Sequence, residues 1–214
     1  MTRGKFIALE GGEGTGKSTQ ARLLAEALEA RGIDVVLTRE PGGTPGAEAI
    51  RELLLHPPEG GWNPRAEALL FAAARSDHVE RRIRPALEDG KWVVCDRFLD
   101  SSRAYQGGAG DLGDEAIMAL HKVGSGGVRP DLTLLVEVAP EVVAERLAKR
   151  DTAGSDAIGG RDAAYHAQVA QTFSALAEAE PRLFASIHGE GGPESVHQRI
   201  MVAIEPLLGN NTQC

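Results

Sequence analysis

The sequence predicts an α/β fold, a doubly wound sheet of five parallel strands with helices on both faces. Short apolar runs rich in β-branched and aromatic residues recur at 6–10, 35–38, 92–95, 132–138 and, more weakly, 184–188. Between them lie stretches whose apolar residues repeat with helical spacing. Such alternation makes each return to the sheet a crossover, and right-handed crossovers give parallel strands with helices on both sides. No internal repeat and no low-complexity linker divides the 214 residues, so one domain is expected over 1–209, with a flexible tail at 210–214.

The elements follow in order. The first strand, 6–10, is apolar until Glu10, as suits a strand buried on both faces. A glycine-rich loop opens a helix at 18–31, with Leu23, Leu24, Ala27 and Leu28 as its apolar stripe and Gly32 as its stop. After strand 35–38 come an irregular segment at 41–46 and a helix at 48–55; Asn63 and Pro64 then announce a helix over 66–87. Strand 92–95 precedes a helix at 114–123. Strand 132–138 leads to a helix at 141–150 opened by Pro140, a second helix spans 163–179, and Gly192 and Pro193 open the last, 194–208. The segment 151–160, rich in Gly, Asp and Ser between two helices, is expected to move as a lid of about 150–162.

Composition narrows the function classes. Hydrophobic residues make up 42% and charged residues 25% of the chain, near the averages of globular proteins, which excludes disorder, collagen and coiled coil. The longest apolar runs fall far short of the ~20 residues of a bilayer span, and 1–5 lack a following signal-type region. A cytoplasmic protein without membrane contact is expected. Cys95 and Cys214 form neither a disulfide framework nor a metal-ligand spacing. With 23 Lys+Arg against 31 Asp+Glu, the net charge is −8. No general field would attract a polyanion, nucleic-acid binding is not expected, and an anionic ligand has to be held locally.

A local arrangement of that kind follows the first strand. Gly11-Gly12-Glu13-Gly14-Thr15-Gly16-Lys17-Ser18 fits G-x-x-x-x-G-K-[ST] in the required strand–loop–helix setting, which makes the fold P-loop NTPase-type. Glycines let successive backbone N–H groups curl around phosphate oxygens, and the helix N-terminus adds its dipole. Lys17 is expected to bridge the β and γ phosphates and Ser18 to ligate Mg²⁺. Residues 11–18, with Thr19 behind them, are the expected triphosphate site. The loop does not say what receives the phosphoryl group. No Asn-Lys-x-Asp sequence marks a GTPase, so a small-molecule kinase leads, with a regulatory NTPase as the alternative from another class.

The acceptor side rests on two further segments. The strand at 92–95 runs into Asp96 and Arg97, at the carboxyl end where parallel sheets gather their ligands. Asp96 could act through Mg²⁺ while Arg97 neutralises a phosphate, or the two could be a solvated pair opening a loop. Phe71 and Arg75, four residues apart, share a helix face. They suit a flat base, the ring stacking and the guanidinium donating to a carbonyl edge, but taken alone they read better as a core aromatic and a surface charge. The cluster Arg81, Arg82 and Arg84 lies beside Glu80 and Glu88 and reads as a solvated face. The six histidines are scattered without ligand spacing, and none is given a role.

Together the motifs resemble bacterial thymidylate kinases. The resemblance is carried by Glu-Gly-Gly-Glu-Gly-Thr-Gly-Lys-Ser-Thr (10–19), Thr-Arg-Glu-Pro-Gly-Gly-Thr (38–44), Leu-Leu-Phe-Ala-Ala-Ala-Arg (69–75), Asp-Arg-Phe (96–98) and Asp-Ser-Ser-Arg-Ala-Tyr-Gln-Gly (100–107). It implies transfer of the γ-phosphoryl group of MgATP to dTMP, giving dTDP and ADP for dTTP synthesis, with another nucleoside monophosphate as runner-up acceptor. By position, Gly11, Gly12, Glu13, Gly14, Thr15, Gly16, Lys17, Ser18 and Thr19 would bind ATP, and Ser18 and Asp96 the metal. Phe71 would stack on thymine and Arg75 bind its carbonyl edge. Ser101, Ser102 and Gln106 would line the base and sugar pocket, with Tyr105 near the deoxyribose. Arg97, helped by Arg51, would clamp the acceptor phosphate, and Glu13 and Glu40 would hold the sugar hydroxyl or bound Mg²⁺ and water. The resemblance also implies a homodimer.

The chain departs from that family's pattern in three places. Phe98 stands where a Tyr is usual. Arg103 occupies a variable position and is assigned nothing. Asp156-Ala157-Ile158 replaces an Asp-Arg-apolar lid sequence, so the lid arginine is expected to come from Arg161, at the start of the helix after the lid, or from Arg150.

Overall fold

Residues 3–150 and 160–209 are described by the computed structural model, with backbone alone at 147–150. Every residue of β1 (Phe6–Glu10) is buried, because neighbours cover it on both edges and both faces. It pairs in parallel with β3 (Trp92–Asp96) and β4 (Leu132–Glu137), and β2 (Val35–Arg39) and β5 (Phe184–His188) complete the order β2-β3-β1-β4-β5. The pairing of β3 between β2 and β1 sets Asp96 beside Leu9 on one side and Arg39 on the other. All five strands fall where the apolar runs place them, each bound within one residue.

Alternation along the strands divides the core. Phe6, Ala8, Val93 and Cys95 point to one face, where Val79, Ile83, Leu87, Phe98 and Ile117 cover them. Ile7, Leu9, Val94 and Leu134 point to the other, against Leu24 and Leu28 of α1 (Lys17–Glu29) and Ile200 and Ile204 of α9 (Pro193–Leu208). A third cluster joins Leu135 and Phe184 to Val169 and Phe173 of α8 (Ala163–Ala179). This is the doubly wound arrangement expected from the sequence.

The helices depart from expectation where local chemistry intervenes. α2 (Pro45–Leu55) starts three residues early, because the Thr44 hydroxyl accepts from the Ala47 N–H at 3.2 Å and Pro45 suits the first position. Asn63 caps α3 (Pro64–His78) in the same way, accepting from Ala66 N–H at 3.0 Å. The single helix expected over 66–87 is three pieces: α3, a π-helical turn (Val79–Ile83) and α4 (Arg84–Glu88). Pro85 has no N–H for a carbonyl one turn back, and the wider π turn accommodates that break. An unforeseen helical stretch follows β3: α5 (Leu99–Ser102) continues into a π-helical segment (Arg103–Ala109). It leads to α6 (Asp114–Ser125), and α7 (Pro140–Arg150) follows β4. No helix among the described residues is long and apolar enough to cross a membrane.

Candidate active site

The carboxyl ends of β1, β2 and β3 bring two sets of groups together. The first is the loop between β1 and α1. Gly11 has φ 136°, and a Cβ there would meet the carbonyl oxygen of Val136 at 2.4 Å. Only glycine fits. Gly16, left-handed at φ 94°, turns the chain into α1, whose first-turn N–H groups have no partners within the helix and face the loop. Thr19 stands exposed in that turn. Lys17 is buried, its Nζ donating to Gly12 O at 2.5 Å and to Thr15 Oγ1 at 3.3 Å. Burial, and then the charge of Arg97, push its pKa down to about 7. An anion seated in the loop would restore the charge.

Ser18 Oγ donates to Asp96 Oδ2 at 2.5 Å. Asp96 Oδ1 is buried with no hydrogen-bond partner among the described residues. A hydroxyl and a carboxylate with a spare oxygen, beside the phosphate loop, form the hard-oxygen set that Mg²⁺ prefers, so these residues fit a metal brought in with the nucleotide. Arg146 on α7, which the sequence reading passed over, donates from Nη1 to Thr15 O at 3.3 Å and from Nη2 to Gly189 O at 3.0 Å.

The second set surrounds a cavity of about 100 Å³, lined by Glu13, Glu40, Arg51, Phe71, Arg75, Arg97, Ser101, Ser102, Tyr105 and Gln106, with Pro41, Leu55 and Phe98. Every residue that the resemblance assigns to dTMP lines it, whereas Asp96 lies on the donor side with Ser18. Arg75 is buried, with Nε donating to Glu40 Oε2 at 2.8 Å and Nη2 to Phe98 O at 3.1 Å and Ser102 Oγ at 2.9 Å. Glu40 Oε1 pairs with His78 Nδ1 at 3.0 Å, and His78 Nε2 with Thr38 Oγ1 at 2.7 Å. Burial raises the Glu40 pKa, but Arg75 and His78 together outweigh it and hold the carboxylate below its ordinary value. His78, given no role from the sequence, therefore anchors this line of groups.

Arg97 adopts a left-handed φ of 67°, and its N–H donates to Leu9 O at 2.9 Å. That turn aims the guanidinium between the two sets: Nη1 reaches Gly11 O at 3.2 Å and Ser101 Oγ at 3.1 Å, and Nη2 reaches Tyr105 OH at 3.3 Å. Glu10 fixes the same turn. Its Oε1 accepts from the N–H groups of Phe98 at 2.8 Å and Ser101 at 3.0 Å, and its Oε2 from Ser101 Oγ at 2.6 Å. Burial, and then Asp100, push its pKa up to about 7. Arg51 Nη1 donates to Pro41 O at 2.8 Å.

Phe98, in place of the usual Tyr, is fully buried edge-on against Phe6 at 4.8 Å and His121 at 5.8 Å. Arg103, assigned nothing from the sequence, meets Asp100 at 3.0 Å, Asp114 at 2.7 Å and Glu180 at 2.7 Å, tying the cavity-lining segment to α6 and the end of α8. Gln106 Nε2 donates to Glu67 Oε1 at 2.8 Å. Arg161 bonds Glu67 Oε2 and the Tyr165 hydroxyl, which itself donates to Tyr105 O at 2.9 Å. In this structure Arg161 therefore stands behind the Gln106 side of the cavity, paired with Glu67. Ala157 and the rest of 151–159 lie outside the described residues, as does the Arg150 side chain.

Comparison with known proteins gives a consistent picture. A family model described as thymidylate kinase matches residues 9–200. The chain is 58% identical over 205 residues to thymidylate kinase of Rhizorhabdus wittichii, covering 96% of this chain and 99% of that one. It is 45% identical over 207 residues to that of a Bradyrhizobium strain, covering 96% and 92%. A solved structure of thymidylate kinase from Ehrlichia chaffeensis superimposes with a TM-score of 0.75 at 31% identity, over 94% of this chain and 99% of that one.

Proposed function

The chain belongs to the thymidylate kinase family, and from that premise we propose how its residues carry the γ-phosphoryl group of MgATP to dTMP, giving dTDP and ADP. The observation that carries the reading is Arg97, whose one guanidinium touches the phosphate loop at Gly11 and the acceptor cavity at Ser101 and Tyr105. A regulatory NTPase needs no such second cavity.

ATP phosphates take the place now filled by the Lys17 contacts with Gly12 and Thr15, and backbone N–H groups of 11–19 complete their cradle. Ser18 and Asp96 hold Mg²⁺, which supplies charge neutralisation at the donor phosphates. Phe71 stacks on thymine, Arg75 donates to its carbonyl edge, and Ser101, Ser102, Gln106 and Tyr105 close the base and sugar pocket. Glu40 has both oxygens engaged, so it serves by holding Arg75, and Glu13 is left to meet the sugar hydroxyl or metal-bound water. Arg97 and Arg51 hold the acceptor phosphate against the donor. Catalysis then consists of in-line placement and neutralisation, with no covalent enzyme intermediate. Arg146 steadies the donor loop, and Arg161, released from Glu67 and Tyr165 when the lid closes, adds charge at the transferring group.

Exposed Leu53 on α2, Leu69 on α3 and Val123 on α6, 48%, 56% and 90% accessible on three helices that pack in succession, support a homodimer. A cytoplasmic location fits the free, buried Cys95. The deciding experiment couples ADP release to dTMP. The reading requires ATP turnover to depend on dTMP, and equal turnover without it would overturn the acceptor assignment.

A further inference from the structure

Behind the base side of the cavity stands a carboxylate that the sequence reading never singled out. Glu67 lies near the start of α3 and is 8% exposed; Gln106, on the π-helical segment, is 3% exposed. One Glu67 oxygen accepts from Gln106 Nε2 at 2.8 Å, and the other is ion-paired with Arg161. We propose that Glu67 is a positioning residue that fixes which end of the Gln106 amide faces the base, and thereby selects a pyrimidine that carries a hydrogen at N3. The proposal rests on the reading that the cavity takes dTMP.

A side-chain amide presents two donors at one end and an acceptor at the other, and rotation by half a turn exchanges them. An ionised carboxylate offers lone pairs alone. Facing Glu67, the amide can only turn its nitrogen inward, since the opposite setting would bring two acceptors together in a buried place. Gln106 Oε1 is then the end left over, and no described residue donates to it. The Arg75 guanidinium, a donor in every orientation, lines the same cavity.

The wall therefore offers a fixed donor and a fixed acceptor. Thymine complements that pair, with O4 accepting and N3–H donating. Cytosine reverses both, placing an amino group where the wall donates and an unprotonated N3 where it accepts. A site that leaves such groups unpaired discriminates far more strongly than a shape mismatch does. Arg75 alone reads one of the two positions; Glu67, acting through Gln106, adds the second.

Two measurements test this. In Glu67→Gln the new amide can donate as well as accept, so Gln106 is no longer held one way, and the ratio of kcat/KM for dTMP over dCMP should fall at least about tenfold. A purely structural Glu67 would lower both values together and leave the ratio at its wild-type level, which overturns the proposal. Should the variant not fold, the wild-type enzyme decides: 3-methyl-dTMP, whose N3 hydrogen is replaced, should compete at least about a hundredfold more weakly than dTMP itself binds. Equal binding of the two would also overturn the proposal. Failure of the underlying reading looks different, since wild-type enzyme would then use dTMP and dCMP alike.

Discussion

The phosphate loop grips with its backbone, whereas the acceptor cavity grips with side chains that are themselves gripped by others. The loop is nine consecutive residues whose essential property is a conformation set by Gly11 and Gly16. The cavity draws on the turn after β2, α2, α3 and the segment after β3, and its charged side chains are held by further groups: Arg75 by Glu40, Glu40 by His78, Arg97 by Ser101 and Tyr105. A main-chain cradle depends on few identities, so most single substitutions there leave the fold alone. A side-chain network makes recognition and stability the same thing.

Arg75→Ala should show this most strongly. It leaves Glu40 buried with one partner fewer, at a cost of about 3 to 5 kcal/mol in stability, and the kcat/KM preference for dTMP over dCMP should drop. Thermal unfolding and paired kinetics measure both; a variant that loses selectivity at wild-type stability would separate the two properties again. Lys17→Ala is the opposite case. Turnover should fall about 10² to 10³-fold while dTMP affinity and thermal stability stay near wild type. If dTMP binding collapsed in a protein with an unaltered circular dichroism spectrum, the two halves would not be separable.

Arg161→Ala tests the boundary between the halves. At saturating substrates kcat should fall at least about tenfold, with dTMP affinity little changed; a raised KM for dTMP at constant kcat would confine Arg161 to the acceptor wall. The smallest effect is a pH dependence confined to the loop. Since Lys17 titrates near pH 7 in the free site and bound phosphate favours its charged form, ATP affinity should be flat below about pH 7. Above it, affinity should weaken by up to about tenfold per pH unit, with proton uptake on binding. Calorimetry of ATP binding in buffers of different ionisation enthalpy reads the uptake, and Lys17→Arg should abolish it. Persistent uptake in that variant would assign the proton elsewhere.

The same contrast explains what could be read from the chain. β1 and the loop are contiguous, and apolar runs mark the strands most plainly at β1, β3 and β4, which are buried on both faces and have no polar side to confuse the pattern, while the edge strands β2 and β5 expose part of their length. The residues assigned to dTMP came from motifs, and the structure sets them around one cavity. Missing were the residues that support them. Glu67 and Arg161 are 94 positions apart, and His78 and Thr38 are 40 apart. A lone Glu or His on a helix carries no mark of its distant partner. Arg103 looks like any surface arginine until Asp100, Asp114 and Glu180 are brought around it. The segment at 99–109 escaped for another reason: Asp, Ser and Gly, weak helix formers, make up five of its eleven residues, and its helical form depends on packing against α6 and α8 more than on propensity.

The line Thr38–His78–Glu40–Arg75–Ser102 also shapes how the enzyme can change under selection. An inhibitor that seats its polar edge on Arg75 presses on a residue whose loss strands a buried carboxylate, and the same holds in turn for Glu40. Penalties of about 3 to 5 kcal/mol are a large share of the roughly 5 to 15 kcal/mol that keeps a domain folded. Single-step resistance at either position would therefore carry a heavy fitness loss. Escape is channelled to the half-buried rim, where Phe71 and Leu55 can change shape without unpairing a charge. A durable inhibitor is thus one whose affinity comes from the buried line and owes little to that rim.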